Sequence, residues 1–241
     1  GVDAKAGHWP WHAAIFYRNK EHNEYECGGS ILDHNTILTA SHCVYTAGGV
    51  ISATRVLVHV GQNHLEKASE YTQIHNVRDI IVHPGFSSNS IIHDIALIKL
   101  RTNITMTKYV QPVYVMPICL PVSPEMRTVK EIYYVSGWGL TENDTSSDVL
   151  QVGLLRQLPN DVCQQLLQRK DKYVTVNSDQ MCAIGANRTD NCSGDSGGPL
   201  KTVAVNARFV QYGVVSYGLR TCGKETAPGV YTRVENYIDW I

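Results

Sequence analysis

The hydrophobic positions of the chain form short segments rather than long amphipathic runs. Most of these segments are four to eight residues long, are rich in Val, Ile, Thr and Tyr, and end at Gly, Asn, Ser or Pro. This pattern is typical of an all-β barrel or sandwich protein. The predicted strands are Ala13–Tyr17, Ser30–Leu32, Thr36–Thr39, Arg55–Val60, Ile74–Val82, Ile95–Leu100, Ile132–Val135, Val149–Leu155, Leu200–Thr202, Phe209–Val215 and Gly229–Arg233.

Helical periodicity is confined to two segments. Asp161–Arg169 follows an Asn-Asp start, and the apolar residues of 234–241 fall on one helical face. A proline-containing stretch, 111–124, carries four prolines in fourteen residues. Because proline interrupts both helices and strands, this stretch is the best candidate for a connector between two halves.

Composition and charge exclude several classes of protein. The 241 residues are 43% hydrophobic, which is enough for a sizeable core and too much for a disordered chain. The 21 basic and 22 acidic residues form no blocks, which argues against a nucleic-acid partner. There is no apolar run of membrane-spanning length and no leader-like start. We therefore expect no membrane association and a targeting segment that has been removed.

Cysteine usage points to an oxidising compartment. The seven cysteines form no CxxC pair, which argues against a zinc ribbon or a thioredoxin-like redox site and favours disulfides. An odd number leaves one thiol that is either free or paired outside the chain. Four Asn-x-Ser/Thr triplets fit a secreted, extracellular protein. They begin at Asn103, Asn143, Asn187 and Asn191, and we expect glycans at the first three because Asn191 is crowded by Cys192.

A serine among glycines is the first candidate for chemistry. The segment Gly194-Asp-Ser-Gly-Gly198 fits the loose pattern G-x-S-x-G, which marks the nucleophile of α/β-hydrolases when it joins a strand to a helix. Here Pro199 and a predicted strand follow, so that context is rejected. A surface turn rich in Gly and Ser remains the alternative, and the serine alone does not decide.

A candidate base and a candidate orienting acid elsewhere in the chain favour a catalytic serine over a surface turn. A serine hydroxyl is a weak nucleophile until an imidazole takes its proton and a carboxylate fixes that imidazole's tautomer. His42 follows a predicted apolar strand and precedes Cys43, and Asp94 stands at the head of another apolar strand. The order His, Asp, Ser is that of chymotrypsin and differs from subtilisin and the α/β-hydrolases.

The chain resembles the chymotrypsin/trypsin-like serine peptidases, and the resemblance covers essentially its whole length. The further matching segments are Trp9-Pro-Trp11, Cys27-Gly-Gly-Ser-Ile31, Ser136-Gly-Trp-Gly139, Ser216-Tyr-Gly218 and Pro228-Gly-Val-Tyr-Thr232. The resemblance implies an all-β fold of two six-stranded antiparallel barrels packed together, with a short C-terminal helix. It divides a single peptidase domain, 1–241, into a barrel over about 12–110, the connector over 111–124, a barrel over about 125–233, and a helix over about 234–241.

The resemblance also implies the catalytic roles. Ser196 would be the nucleophile, His42 the general base and then acid, and Asp94 the carboxylate that orients His42. The N–H groups of Gly194 and Ser196 would form the oxyanion hole. His93, beside Asp94, is expected to be a neighbour without a catalytic role.

Substrate choice in the resembling family is set by one pocket. Asp190 matches its base and would pair with an Arg or Lys side chain, while Gly218 and Gly229 leave the walls open. A solvated loop acid is the alternative for Asp190. Asn191 departs from the family pattern, and its amide would either bind a guanidinium or narrow the pocket. Further substrate contacts are implied at Ser216 and Tyr217.

The resemblance pairs six of the cysteines, as Cys27–Cys43, Cys163–Cys182 and Cys192–Cys222. A further family bridge would join the positions of Tyr133 and Thr202, where both cysteines are missing. Cys119 is left over. It would hold a separate pro-region or light chain through an interchain disulfide, and a buried free thiol is the alternative.

No cofactor or metal is expected. Many relatives bind calcium in the loop that matches 62–72, but the three expected carboxylate positions are Gln62, Ser69 and Thr72. Hard cations require anionic oxygen ligands. Glu66 and Glu70 lie nearby but do not replace those ligands, so we predict no structural calcium site.

The sequence thus predicts a secreted serine endopeptidase that cuts after Arg or Lys and is activated from a zymogen. Its partners would be protein substrates and protein protease inhibitors. A catalytically silent homologue acting as a binding module is the alternative, and a generic β-barrel binding protein would leave the motifs unexplained. In the family, Asp195 pairs with the α-amino group created by activation, and Gly1 stands about three residues too late to supply it.

Overall fold

The computed structural model describes residues 1–20, 22–107, 113–127, 131–141, 143–186, 192–204, 207–219 and 227–241. Fifteen strands and one α-helix form most of the fold of these residues. The strands are β1 Val2–Asp3, β2 His12–Arg18, β3 Asn23–Ile31, β4 Thr36–Thr39, β5 Tyr45–Thr46, β6 Gly49–Val50, β7 Val56–Val60, β8 Gln73–Val82, β9 Ala96–Leu100, β10 Ile132–Gly137, β11 Gln151–Leu158, β12 Gln180–Gly185, β13 Pro199–Val203, β14 Phe209–Tyr217 and β15 Gly229–Arg233. The helix is α1 Asn160–Gln168, and short 3₁₀ helices span Ser41–Cys43, Ala53–Arg55, Pro124–Arg127 and Val234–Tyr237.

The first half of the chain closes into a six-stranded antiparallel barrel. Its strands follow the order β2-β3-β4-β9-β8-β7, and β2 pairs with β7 to close the ring. Fully buried branched residues fill the interior, among them Ile15, Ile31 and Ile98. Burial of such side chains is the main favourable contribution to folding, so the apolar face of each strand decides which side turns inward.

The second half closes in the same way. Strands β10, β13, β14, β15 and β12 follow one another, and β11 pairs with both β10 and β12 to complete the ring. The short β1 adds to the outer edge of β11 through the Val2–Val152 pairing. The prediction of two six-stranded antiparallel barrels is therefore confirmed.

The helical segments are short. Helix α1 begins one residue before the predicted segment and ends one residue before its predicted end. The C-terminal helix is a 3₁₀ helix, Val234–Tyr237, followed by a turn. A 3₁₀ helix is usually only about one turn long, as it is here, where Val234 and Tyr237 pack into the first barrel's core.

In the described part of the chain, no helix is long and apolar enough to cross a membrane.

Buried polar contacts join the two barrels. The Ser30 hydroxyl, in β3, donates to Oε1 of Gln211, in β14, over 2.5 Å. The predicted connector is described from residue 113 onwards and touches both barrels. Its Ile118 N–H donates to the Ile31 carbonyl, and its Cys119 carbonyl accepts from the Gln211 N–H. These bonds satisfy buried backbone groups and hold the barrels in one relative position, which fixes the cleft between them.

Candidate active site

Strand pairing brings His42 and Asp94 together. His42 lies in the 3₁₀ helix after β4, and Asp94 lies two residues before β9. Strands β4 and β9 pair through Thr39 and Ala96, so the residues beyond this pair emerge side by side at one end of the first barrel. The disulfide between Cys27 and Cys43 ties the His42 turn to β3.

Four hydrogen bonds hold Asp94. Its Oδ2 lies 2.7 Å from Nδ1 of His42, and its Oδ1 accepts from the His42 N–H over 2.9 Å. The Ser216 hydroxyl donates to Oδ2 over 2.6 Å, and the Thr232 hydroxyl donates to the Asp94 carbonyl over 2.7 Å. The Asp94 side chain is 1% exposed, whereas that of His42 is 32% exposed. The carboxylate is thus buried and satisfied, and the imidazole keeps an open side.

Opposing effects set the charge of this pair. Burial alone lowers the pKa of His42, but the charge of Asp94 and its hydrogen bond outweigh burial, so the net pKa of His42 is raised. Burial alone raises the pKa of Asp94, but His42 and the Ser216 hydroxyl outweigh it, so the net pKa of Asp94 is lowered. An ionised Asp94 favours the tautomer with the proton on Nδ1, which leaves Nε2 of His42 able to accept a proton.

The segment 192–198 forms a tight turn before β13. The Asp195 N–H donates to the Cys192 carbonyl, and the Gly198 N–H donates back to the Asp195 carbonyl. Gly197 has a φ of +76°, and a Cβ there would lie 2.2 Å from the Thr39 hydroxyl oxygen. Only glycine fits this close approach of the two barrels. The turn therefore presents Ser196 at the barrel interface.

Ser196 and His42 line the same cavity, whose volume is about 240 Å³. Ser216, Tyr217 and Gly218 also line it, and their predicted contacts with substrate stay a prediction. The other described lining residues are Tyr45, Phe86, Ser88, Ile91, Cys192 and Ser193. The cavity thus combines a serine hydroxyl, an imidazole and both polar and apolar lining residues, which is the composition of a candidate binding site.

Three backbone N–H groups of the turn, those of Ser193, Gly194 and Ser196, have no partner among the described residues. Among the described residues, the Gly194 and Ser196 N–H groups donate no hydrogen bond, although those of Asp195, Gly197 and Gly198 all do. Gly194 has a φ of +97°, in the region that glycine enters most readily. Two N–H donors one residue apart, on Gly194 and Ser196, form the kind of arrangement that can stabilise a developing oxyanion.

The Asp195 carboxylate lies behind the turn. Its Oδ1 accepts from the Gly139 N–H over 2.9 Å, and its Oδ2 accepts from the Cys192 N–H over 2.8 Å. A Cβ at Gly137 would lie 2.0 Å from Oδ1 of Asp195, so the glycines of this segment leave the carboxylate its space. The predicted ion pair of Asp195 with an activation-generated amino group stays a prediction.

Sequence reasoning missed two residues that hold the site by hydrogen bonds, and it also missed the cavity-lining residues Tyr45, Phe86, Ser88, Ile91 and Ser193. Thr232 belongs to a segment that carried the resemblance, but no role was expected for it. Tyr25 donates from its hydroxyl to the Gly194 carbonyl over 2.5 Å. No sequence signal could have found Tyr25, because a tyrosine in a strand is ordinary and its partner lies 169 residues away.

Several predicted site residues are either outside the described residues or outside the cavity lining. Asp190, Asn191, Asn187 and Cys222 lie outside the described residues. Gly229 is buried at the start of β15, where it pairs with β12, and is not among the described residues that line the cavity.

Disulfides join Cys27 to Cys43 and Cys163 to Cys182, as the resemblance implied. Cys192 is disulfide-bonded as well, and its expected partner lies outside the described residues. Cys119 carries a free thiol of intermediate exposure. The sequon residues Asn103 and Asn143 are exposed.

Two further expectations concern histidines and metals. Nδ1 of His93 lies 2.8 Å from the Tyr237 hydroxyl oxygen, and the His93 ring stacks on the His83 ring. These contacts do not involve the His42–Asp94 hydrogen bond. His42 also lies close to the sulfurs of Cys27 and Cys43. Because those sulfurs form a disulfide, they are not available as thiolate ligands, and the group does not fit a metal.

The loop matching a calcium site is organised by an amide. Nε2 of Gln62 donates to the carbonyls of His64 and Leu65 over 2.7 and 2.8 Å, and Oε1 of Gln62 lies 2.9 Å from Nδ1 of His59. An amide donor therefore satisfies carbonyls that could otherwise coordinate a cation. The absence of calcium stays a prediction.

Comparisons with known proteins agree with this fold. The whole chain, residues 1–241, matches the family model described as Trypsin. It is 33% identical to serine protease grass of Drosophila melanogaster and 36% identical to phenoloxidase-activating factor 3 of Holotrichia diomphalia, with all of this chain aligned in each case. It spans 66% and 70% of those proteins. It is also 35% identical to clotting factor C of Tachypleus tridentatus, of which it spans 24%.

The chain therefore belongs to the trypsin family. Its relatives are serine proteases of the trypsin/chymotrypsin family, and its two antiparallel barrels have the trypsin-like fold.

Proposed function

We propose that the chain is the catalytic domain of a serine endopeptidase. The observation that carries this proposal is the buried, hydrogen-bonded Asp94–His42 pair, which opens onto the cavity that also holds Ser196. The N–H groups of Gly194 and Ser196, which have no partner among the described residues, add two hydrogen-bond donors for an oxyanion. Each part is of limited use alone, and together they supply a nucleophile, a base and an oxyanion site.

In the proposed mechanism, Ser196 Oγ attacks the carbonyl carbon of the scissile peptide while Nε2 of His42 accepts its proton. The carbonyl oxygen becomes an oxyanion and receives hydrogen bonds from the Gly194 and Ser196 N–H groups. Collapse of this intermediate breaks the C–N bond, and His42 gives its proton to the leaving amine. Water then repeats the sequence on the acyl-enzyme, with His42 again acting as base and then acid. Asp94 stays ionised and stabilises the imidazolium.

The finer specificity also belongs to this proposal. Cleavage after Arg or Lys rests on the match of Asp190 to the base of the family's pocket and on Gly218, which contributes no side chain to the cavity wall. An acidic residue in a poorly hydrated slot favours a cationic partner. Asn191 would tune the choice between the two cations.

The biological setting is proposed from the disulfides and the relatives. The disulfides favour a secreted, extracellular protein, with glycans at Asn103, Asn143 and Asn187. Relatives named as phenoloxidase-activating and clotting factors favour a zymogen that acts on another protein by limited proteolysis. Protein substrates and protein protease inhibitors are the expected partners. Cys119, through its free thiol, would bind a separate pro-region or light chain by a disulfide.

The test is hydrolysis of a panel of fluorogenic peptides by the activated full-length protein, with Ser196→Ala as the matched control. We expect turnover of peptides with Arg or Lys before the cleaved bond and none with the variant. Turnover of Phe or Leu peptides in preference would overturn the specificity alone. A properly activated wild-type protein that turns over no peptide would instead favour a binding module.

A further inference from the structure

The Tyr25 hydroxyl reaches the turn that carries Ser196. Tyr25 lies in β3 of the first barrel, and its hydroxyl donates to the Gly194 carbonyl, in the second half of the chain. The ring is held by edge contacts with Phe16 and Trp138, each with ring centroids 5.7 Å apart. Two aromatic contacts on a rigid strand leave the hydroxyl little freedom, so its aim at Gly194 is a fixed feature of the fold.

Two hydrogen bonds fix the peptide groups on either side of the Gly194 Cα. A trans peptide is planar, so the carbonyl of Ser193 and the N–H of Gly194 point in opposite directions within one plane. The Leu140 N–H donates to the Ser193 carbonyl over 2.8 Å, which turns the Gly194 N–H away from Leu140. Tyr25 holds the carbonyl of the next peptide. The left-handed φ of Gly194 is therefore set from both sides.

Neighbouring atoms also fill the space next to the Gly194 Cα. A Cβ at Gly194 would lie 2.9 Å from the Gly139 Cα and 3.4 Å from Cε1 of Tyr25. The Tyr25 ring and the Gly139 backbone thus cover one side of the half-buried Gly194, while its N–H has no partner in the described chain. If the Tyr25 hydroxyl were removed, the Gly194 carbonyl would lose the partner that it has here. A partly buried carbonyl without its partner favours rotation of its peptide toward another donor, which disturbs the backbone at Gly194 and with it the Gly194 N–H.

We propose that Tyr25 is a positioning residue of the oxyanion hole: its hydroxyl holds the Gly194 carbonyl so that the Gly194 N–H faces the reacting carbonyl oxygen of the substrate. This inference rests on the proposed peptidase function. It concerns a residue that touches no substrate and acts through the backbone of Gly194.

The hydroxyl keeps its proton under working conditions. Burial, followed by the nearby charge of Asp195, raises the pKa of Tyr25 well above its ordinary value of 10.0. Tyr25 therefore remains a donor from neutral to mildly alkaline pH, and its contribution does not titrate where peptidases of this kind are assayed.

The test compares Tyr25→Phe with Tyr133→Phe in the activated full-length protein. Tyr133 is a buried tyrosine in β10 whose hydroxyl donates to Oε1 of Gln157 over 2.9 Å, so this variant loses the same group away from the site. An ester titrant counts the serines that can be acylated. Peptide hydrolysis gives kcat and KM, and a peptide aldehyde reports the hole, because its adduct with serine places an oxyanion there.

For Tyr25→Phe we expect the titration amplitude and KM to stay within twofold of wild type. We expect kcat to fall by about tenfold, less than the 10²–10³ lost when an oxyanion donor is removed outright. The aldehyde inhibition constant should rise by a similar factor, and Tyr133→Phe should change none of these values by more than twofold. If Tyr25→Phe does not fold, Tyr25→Met fills the same space without a donor and is measured in its place.

Unchanged kcat and aldehyde affinity in a folded Tyr25 variant would overturn this inference and leave the peptidase function intact. An equal loss in Tyr133→Phe, or a rise in KM that accounts for the whole effect, would also overturn it. A wild-type protein with no titration burst overturns both proposals, because the burst is measured before any variant is compared.

Discussion

At the residue scale, the His42–Asp94 pair determines how the site responds to pH. In the proposed mechanism the imidazole acts as a base only when it is neutral, so we expect activity to rise as the pH passes upward through the pKa of His42. Asp94 raises that pKa and also fixes the tautomer that leaves Nε2 free. Asp94 is therefore expected to shift the onset of activity to higher pH. By fixing the tautomer, it also leaves Nε2 of His42 able to accept a proton.

This balance predicts the effect of Asp94→Asn. We expect kcat to fall by about 10⁴, because the amide no longer favours the productive tautomer. The acid limb of kcat/KM should also move to lower pH, since only the burial that lowers the His42 pKa remains. A pH series of peptide hydrolysis measures both effects. Asp79→Asn is the control, because Asp79 is an exposed carboxylate paired with Arg78, and an acid limb left in place in Asp94→Asn would contradict the assignment.

At the element scale, strand β13 carries an unusual lysine directly after the nucleophile turn. The Lys201 side chain is fully buried, and Nζ donates to the Ser136 hydroxyl over 2.6 Å and lies 4.4 Å from the Trp9 ring centroid. Among the described residues, Lys201 has no carboxylate partner. Burial lowers its pKa well below the ordinary value of 10.5. The fold therefore favours neutral Lys201, and the unfolded chain favours the charged form.

From this difference we predict that Lys201→Met stabilises the protein at pH 7, because the unfolded chain favours the charged lysine and burial in the fold disfavours it. A lysine with a lowered folded-state pKa adds stability as the pH rises toward its unfolded value, so the advantage of methionine should shrink by pH 10. Urea unfolding at both pH values measures it. Lys99→Met, on a half-buried lysine of β9, is the control. A destabilised Lys201→Met at pH 7 would contradict the prediction.

The elements also show what the sequence could reveal. Strands β4 and β15 have the predicted bounds, because each contains β-branched residues and directly follows a turn residue, Asn35 or Pro228. Strand β12 was missed because Gln180–Gly185 has one β-branched residue and no alternation. It is a strand because β11 and β15 pair with it on both sides. These pairings are tertiary interactions, which the local strand propensity of the sequence does not reveal.

The candidate site also has features that the sequence could predict and features that it could not. The convergence of His42, Asp94 and Ser196 could be predicted because each lies in a local motif whose residue types suit one chemistry, and their catalytic roles stay a prediction. The contact of Tyr25 with Gly194 could not, because its cause is the docking of one barrel on the other. The closure of each barrel likewise depends on pairings between strands that are distant in the sequence, such as β2 with β7.

At the scale of the whole molecule, the cleft exists because each barrel supplies half of the site. His42 and Asp94 come from the first barrel, while Ser196 and Ser216 come from the second. Buried polar groups at and near this interface make the assembled form sensitive to acid. Burial lowers the pKa of His12, which packs against Trp138 in the other barrel.

Four histidines in total have lowered pKa values, namely His12, His59, His75 and His83, with burial as the largest cause in each. Their neutral forms favour the fold, so their stabilisation is lost as the pH falls below about 6.5, the unfolded-state value. His42 has the opposite shift and opposes only part of this loss. We predict that the free energy of unfolding falls from pH 7 to pH 5.

Urea unfolding across that pH range, with His75→Gln beside the exposed-residue control His8→Gln, checks the prediction. The slope of stability against pH should become shallower in His75→Gln and stay unchanged in the control. A wild-type stability that is flat or rising toward pH 5 would contradict it.

The central claim is that His42 activates Ser196 for attack on a carbonyl-like centre. The most direct test is the rate at which a peptide phosphonate labels the activated full-length protein, followed by peptide mapping in wild type, Ser196→Ala and His42→Ala. The account predicts stoichiometric labelling of wild type on Ser196, none in Ser196→Ala, and labelling slowed by about 10² or more in His42→Ala, since general-base catalysis contributes that much. Absence of labelling in the wild type, or equal rates in His42→Ala, would contradict it.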